Sequence, residues 1–197
     1  MRQTSLFLPI SSLILTGAAA IAQAVPYAIA PAHSEVDFSI KHMAISTVHG
    51  QFRMKSGTVN YDAADPLKSS VVAVIDVKSV STGQAQRDTH LNSPDFFDTA
   101  KFPTAEFKSS SVKKVGDGYD VYGDLTMHGV TKSVTLHMDE VSKEQIGMDG
   151  KPHRGFSAMT QINRKDFGLV WNGNLKSGDN VLGDDIKMTF EIEAGKA

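Results

Sequence analysis

Three of the chain's seven histidines lie close together, at His33, His42 and His49. Imidazoles so placed could hold a metal or relay protons. Strong zinc signals need several ligands at recognisable spacing, and these three show neither H-x-H nor H-x-x-x-H. If Phe38 faces inward on its strand, His33 faces outward, and His42 shares the inner parity of Phe38 and Ile40 near the strand's end. A lone inward histidine is more often a hydrogen-bonded wall residue than a metal ligand. The expectation is therefore no metal site, with His33 and His49 on a polar face or turn. His42 remains a candidate for contact with a ligand's head group.

Nucleophilic chemistry has weak candidates. Ser110-Ser111-Val112-Lys113 matches S-x-x-K, while Lys55-Ser56-Gly57 and Lys176-Ser177-Gly178 resemble K-[ST]-G. In penicillin-recognising enzymes S-x-x-K lies on a helix, but here it lies in an alternating, strand-like run. The chain has no G-x-S-x-G elbow, P-loop or G-x-G-x-x-G fingerprint. No catalytic residue is assigned. Arg87 and His90, with Leu91, share one helical face at i, i+3 and i+4, a spacing that can present two polar groups to one ligand. Arg164, at a strand end, is a further candidate. The competing reading is that Arg87 and His90 bond structurally to Asp88, Asp95 or nearby backbone.

These residues need a scaffold, and the N-terminal stretch is not part of it. Arg2, the apolar run from Ser5 to Ala22 and the small-x-small Ala22-Gln23-Ala24 read as a secretory signal peptide cleaved after Ala24. A retained membrane anchor is the alternative. No twin arginine is present, so the general secretory route is expected. Residues 25–197 then form one domain with a sizeable core. The net charge is −2 and turns one unit more negative without Arg2, unlike the basic face of a nucleic-acid binder. The sequence has no cysteine, hence no disulfide and no lipid-anchor cysteine. With no second long apolar run, the expected product is a soluble periplasmic protein without a membrane span.

The period is two almost throughout. Val36, Phe38 and Ile40 alternate with polar residues, as do Phe52 and Met54, and Gly57 marks a phase change of the kind a bulge makes. Ala73 and Ile75 belong to the next strand, which Val72 and Val74 suggest is covered on both faces. Phe107 follows, and Asp117-Gly118 signals a hairpin. Val121, Gly123, Leu125 and Met127 share one face, as do Leu136 and Met138, then Phe156 and Ala158, then Met188 and Phe190. Only residues 82–102 break the rhythm, with a short helix expected over Gln84–Leu91 and a stop at Ser93-Pro94. About eight antiparallel strands with one helical insertion avoid open edges by closing into a barrel or by stacking into a sandwich.

The stretch from His33 to Phe52 resembles the opening motif of the YceI-like family. Residues 82–107, 123–136 and 164–172 resemble its later motifs in the family's order. The resemblance implies a lipocalin-like barrel with a helix packed beside it. It also implies an elongated apolar cavity for a polyprenyl phosphate, an isoprenoid quinone or a similar long amphiphile, and export to the periplasm. The inward residues named above would line that cavity, joined by Leu91, Phe96, Phe97 and Trp171. Met54, Met127, Met138 and Met188 would adapt its walls, and His42, Arg87, His90 and Arg164 would reach the head. Binding, sequestration or transport without catalysis and without a required cofactor is expected. The rival readings are a filled barrel with a structural or partner-binding role and, less favoured, a hydrolase.

Overall fold

The computed structural model describes residues 23–139, 141–178 and 180–197. The expected signal peptide lies almost wholly outside them. Strands β1 (Val25–Ile29), β2 (Glu35–His42), β3 (Ser46–Tyr61) and β4 (Ser70–Ser81) precede helix α1 (Ala85–Asn92). They are followed by β5 (Thr104–Val115), β6 (Gly118–Met127), β7 (Val130–Met138), β8 (Gln145–Ile146), β9 (Pro152–Asn163) and β10 (Leu182–Lys196).

The wall is an antiparallel ring of eight strands, β2 through β7 followed by β9 and β10, closed where β10 pairs both β9 and β2. Closure satisfies the strand edges that an open sheet would expose. The two remaining strands are short. β1 continues the line of β2 between β3 and β10, and β8 pairs only the beginning of β9. β7 and β9 share just two registered pairs, His137–Met159 and Met138–Ala158, so they splay towards the upper end. The phase change predicted at Gly57 appears as register shifts of β3 against β4, between Gln51 and Arg53 and between Met54 and Ser56. Covering of β4 on both faces does not occur at Val72, which faces solvent.

Alternation dictates what is inside. Val36, Phe52, Met54, Ile75, Phe107 and Leu125 are each at most 5% exposed. Each large apolar side chain so buried contributes about 1.5–3 kcal/mol. Helix α1 buries no residue fully; Leu91 packs against the core, and polar bonds fix both ends of the helix. The Gln84 side chain caps its start by accepting from Arg87 N, Asp88 accepts from the backbone N–H and hydroxyl of Thr82, and Ser93 Oγ donates to His90 O. The helix spans Ala85–Asn92, one residue later than the pattern predicts.

The lower end is closed by Tyr27, whose hydroxyl donates to Glu144 (2.6 Å), and by Arg154, whose guanidinium lies over the Tyr61 ring. Burial pushes the Tyr27 hydroxyl above its ordinary pKa. Nearby, His153 bridges Asp149 (3.1 Å) and Glu193 (3.0 Å), tying the β8–β9 turn to β10. The hydrogen bond to Asp149 holds the imidazole above its ordinary pKa. The Lys151 backbone N–H, with help from His153, holds Asp149 below its own.

The raised imidazole pKa stabilises the fold below the unfolded value, and that contribution fades as pH rises through the folded value. The lowered carboxyl pKa acts in the opposite sense, and its contribution is lost on acidification. The difference in melting temperature between the native protein and His153→Gln should therefore peak at about pH 5–6 and shrink as the solution becomes alkaline. Melting curves across pH check this, and a pH-independent difference would contradict it.

Candidate functional site

The barrel's interior is two chambers separated by a packed waist. Val36, Met54, Ile75 and Leu125, from four strands, form the waist and border neither chamber. Below it, a chamber of about 80 Å³ is walled by Ala73, Phe107, Val121, Leu136, Met138, Phe156, Ala158 and Phe190. Above it, a cavity of about 440 Å³ reaches the upper end between α1, the β2–β3 turn and the segment joining β9 to β10. Its size lies within the range of small-molecule sites.

Of the residues expected to line a cavity, Phe38, Ile40, Phe52, Leu91, Phe96, Phe97, Met127, Trp171 and Met188 border the upper one. The chain places them by simple means. Strand alternation turns Phe38, Ile40, Phe52 and Met188 inward. The turn after α1 folds back through hydrogen bonds from Phe97 N to Leu91 O (3.0 Å) and Asp98 N to Ser93 O (3.0 Å). That turn delivers Phe97 edge-on to Phe52, at 5.5 Å between ring centroids, an arrangement favoured by the ring quadrupoles.

Gly123 does not supply the open space its small size suggests. A Cβ there would stand 2.5 Å from the Phe107 ring and 2.5 Å from the Lys108 carbonyl oxygen. Phe107 fills the place from the neighbouring strand. Met54, Ile75 and Leu125 likewise pack within the waist. Sequence reasoning passed over Ile162 and Ile186, whose strand parity marked them, and also Leu169, Val181 and Leu182, which lie in or next to a segment without periodicity. Nothing in the local sequence identifies those three.

All four head-group candidates border the upper cavity, in different electrostatic states. Arg164 is buried. Its Nε donates to Gly183 O (2.9 Å), one terminal nitrogen donates to Leu169 O (2.6 Å) and Trp171 O (2.8 Å), and the other donates to Asp184 (3.3 Å). Burial lowers its pKa from the ordinary value. Four of its five donors are thus committed to shaping the rim.

Arg87 is exposed, and among the described residues its side chain bonds only Thr82, through Nε to the hydroxyl (2.7 Å) and a terminal nitrogen to the carbonyl (2.9 Å), with no acidic partner. His90 meets Asp95 at 3.0 Å, and its ring lies edge-on to Phe96 (4.9 Å) and Trp171 (5.1 Å). His42 is half-buried at the end of β2. No acidic residue borders this cavity among the described residues.

His33 lies in a 3-10 turn and His49 is exposed on β3, so neither joins His42. The described residues contain no group of three or more histidine, aspartate or glutamate side chains placed to hold a metal. Ser110 donates to Tyr122 O (3.2 Å), and Lys113 sits over the Tyr122 ring, so the S-x-x-K pair serves the β5–β6 ladder. No helix among the described residues is long and apolar enough to cross a membrane.

The family model of the YceI-like domain matches residues 27–194. Protein YceI of Escherichia coli O157:H7 is 39% identical over 193 residues, covering 98% of this chain and 97% of that protein. Among solved structures, Burkholderia cenocepacia BcnA aligns with a TM-score of 0.71 at 24% identity, over 84% of this chain and 99% of that one. A polyisoprenoid binding domain from Saccharophagus degradans, implicated in plant cell wall breakdown, aligns with a TM-score of 0.60 at 17% identity, over 88% and 99%. At these identities the two structural likenesses are likenesses of fold.

Proposed function

The chain belongs to the YceI-like family, and from that membership we propose that it binds a polyisoprenoid or similar long-chain amphiphile and sequesters or carries it in the periplasm without chemical change. The observation that supports the reading best is the upper cavity, with walls of Phe, Ile, Leu and Met and a rim of two arginines and two histidines, of which Arg164 and His90 pair with Asp184 and Asp95 while Arg87 has no acidic partner among the described residues. An apolar tail gains about 0.8 kcal/mol per buried CH₂. The rim suits a phosphate, through Arg87, or quinone oxygens, through His42 or His90. The polyisoprenoid binding described for the Saccharophagus degradans domain supports the same ligand class. A tail longer than the upper cavity would pass the waist by rotation of Met54, whose unbranched thioether is the most adaptable side chain there. The N-terminal sequence pattern that reads as a secretory leader supports export to the periplasm.

Organic extraction of the purified protein followed by mass spectrometry should recover a prenyl species reproducibly. Ile40→Trp combined with Ile186→Trp places two indoles in the upper cavity from paired positions on β2 and β10. Uptake of prenyl lipid should fall at least about tenfold, while the circular dichroism stays native. A protein that is empty after purification and takes up no prenyl lipid would overturn the proposal.

A further inference from the structure

The upper rim exposes apolar side chains on two separate segments. Ile45 is 80% exposed and Val170 is 65% exposed. Each is framed by residues that border the cavity: His42 and Ser46 around the β2–β3 turn, and Leu169 and Trp171 on either side of Val170. Met43 N donates to Val181 O (2.6 Å), tying the turn to the segment before β10.

The turn itself uses unfavourable residues. Ile45 N donates to His42 O (3.2 Å), with Met43 at φ 51° and Ala44 at φ 59° between them. A turn with two positive φ values favours Asn-Gly, for steric reasons. Met-Ala-Ile keeps the tip apolar at a conformational cost, which points to a use for those side chains. Trp171, the chain's single tryptophan, stands at the same rim against Phe96 and His90. Its ring, apolar with one polar N–H, is of the kind that settles at a membrane–water interface.

We propose that this rim docks on the surface of a phospholipid bilayer, with Ile45 and Val170 entering the interfacial layer and the cavity mouth facing the lipid. The inference rests on the reading of the cavity as a site for a water-insoluble amphiphile. Such a ligand resides in a bilayer, and each methylene carried through open water makes transfer roughly fourfold less favourable. A mouth pressed to the membrane avoids that passage. The lower end also exposes Ile146 and Met148, but on the β8 ribbon and the turn beyond it, beside the closure by Tyr27 and Arg154. Those two residues provide a control.

The test mixes the purified protein with protein-free vesicles of phosphatidylethanolamine and phosphatidylglycerol. Co-sedimentation and quenching of Trp171 by brominated acyl chains are read together. Saturable binding with quenching is expected, and it should persist at high salt because apolar insertion is not screened. Ile45→Ser with Val170→Ser should weaken binding about tenfold or more, while Ile146→Ser with Met148→Ser leaves it unchanged. Both variants should keep native circular dichroism and take up farnesol like the parent protein.

Absence of vesicle binding, adsorption without quenching that salt abolishes, or equal loss in both variants would overturn the docking. Binding confined to vesicles that carry membrane proteins would also overturn it and assign the rim to a protein partner. Farnesol uptake without vesicle binding removes the docking alone. Vesicle docking without any farnesol uptake keeps the docking and removes the reading of the cavity.

Discussion

Arg164→Ala should destabilise the protein by about 3 kcal/mol, the scale of breaking a buried ion pair, and disorder the cavity's rim. The side chain is 3% exposed. Removing it leaves the carbonyls of Leu169, Trp171 and Gly183 without the Arg164 donor, and among the described residues Asp184 retains Lys165, at 2.8 Å. Each orphaned buried acceptor costs about 1–3 kcal/mol. Asp184 is about one-third exposed, so water offsets part of the lost pair. For a chain of this size the change corresponds to a fall of about 6–12 °C in melting temperature. Arg164→Lys keeps the charge but cannot present a planar fork to three carbonyls, so it should recover less than half of the loss. Denaturant titration measures the stability, and Trp171 emission in the folded state should shift to the red as the rim loosens. A loss below about 1 kcal/mol would show that the segment 169–171 holds itself in place.

Gly123→Ala should cost about 3 kcal/mol although the change adds a single methyl group, because overpacking a filled interior forces its neighbours to move. The new Cβ would stand 2.5 Å from both the Phe107 ring and the backbone oxygen of Lys108. The ring is 2% exposed with only the chamber of about 80 Å³ beside it, and the carbonyl belongs to the wall. Gly123→Trp should therefore fail to fold, whereas a tryptophan at Ala158 meets the edge of the lower chamber. Phe107→Leu should partly rescue Gly123→Ala, since it withdraws the ring atoms but leaves the carbonyl contact. A double-mutant cycle from denaturant titrations gives the coupling between the two positions. Additive effects would show that the ring is not the obstacle.

The architecture was legible because burial of one sheet face imposes period two. Val36, Phe38 and Ile40 on β2, and Val121, Leu125 and Met127 on β6, announce wall strands wherever they fall in space. The helix was legible to within a residue because Gln84 and Ser93-Pro94 punctuate a segment that alternation leaves unexplained. The division of the interior was not legible. Met54 and Met188 share parity and chemistry, yet one packs in the waist and the other borders the cavity. The difference lies in which strands stand opposite, and local sequence does not record that.

The sequence by itself determined which side chains face inward and which family's motifs run along the chain, and those motifs imply the closed ring. All of these follow from short-range alternation and ordered motifs. Tertiary structure alone decided where space remains. Gly123 and Ala158 are both small inward residues, but Phe107 fills the first site from the adjacent strand, while the second borders a chamber. It also decided what each cation does. Arg87 and Arg164 are the same residue in the sequence, but segments distant along the chain surround Arg164 with carbonyl groups and leave Arg87 at the open mouth. Cavities and buried charges depend on contacts between distant segments, and those contacts exist only once the barrel has closed.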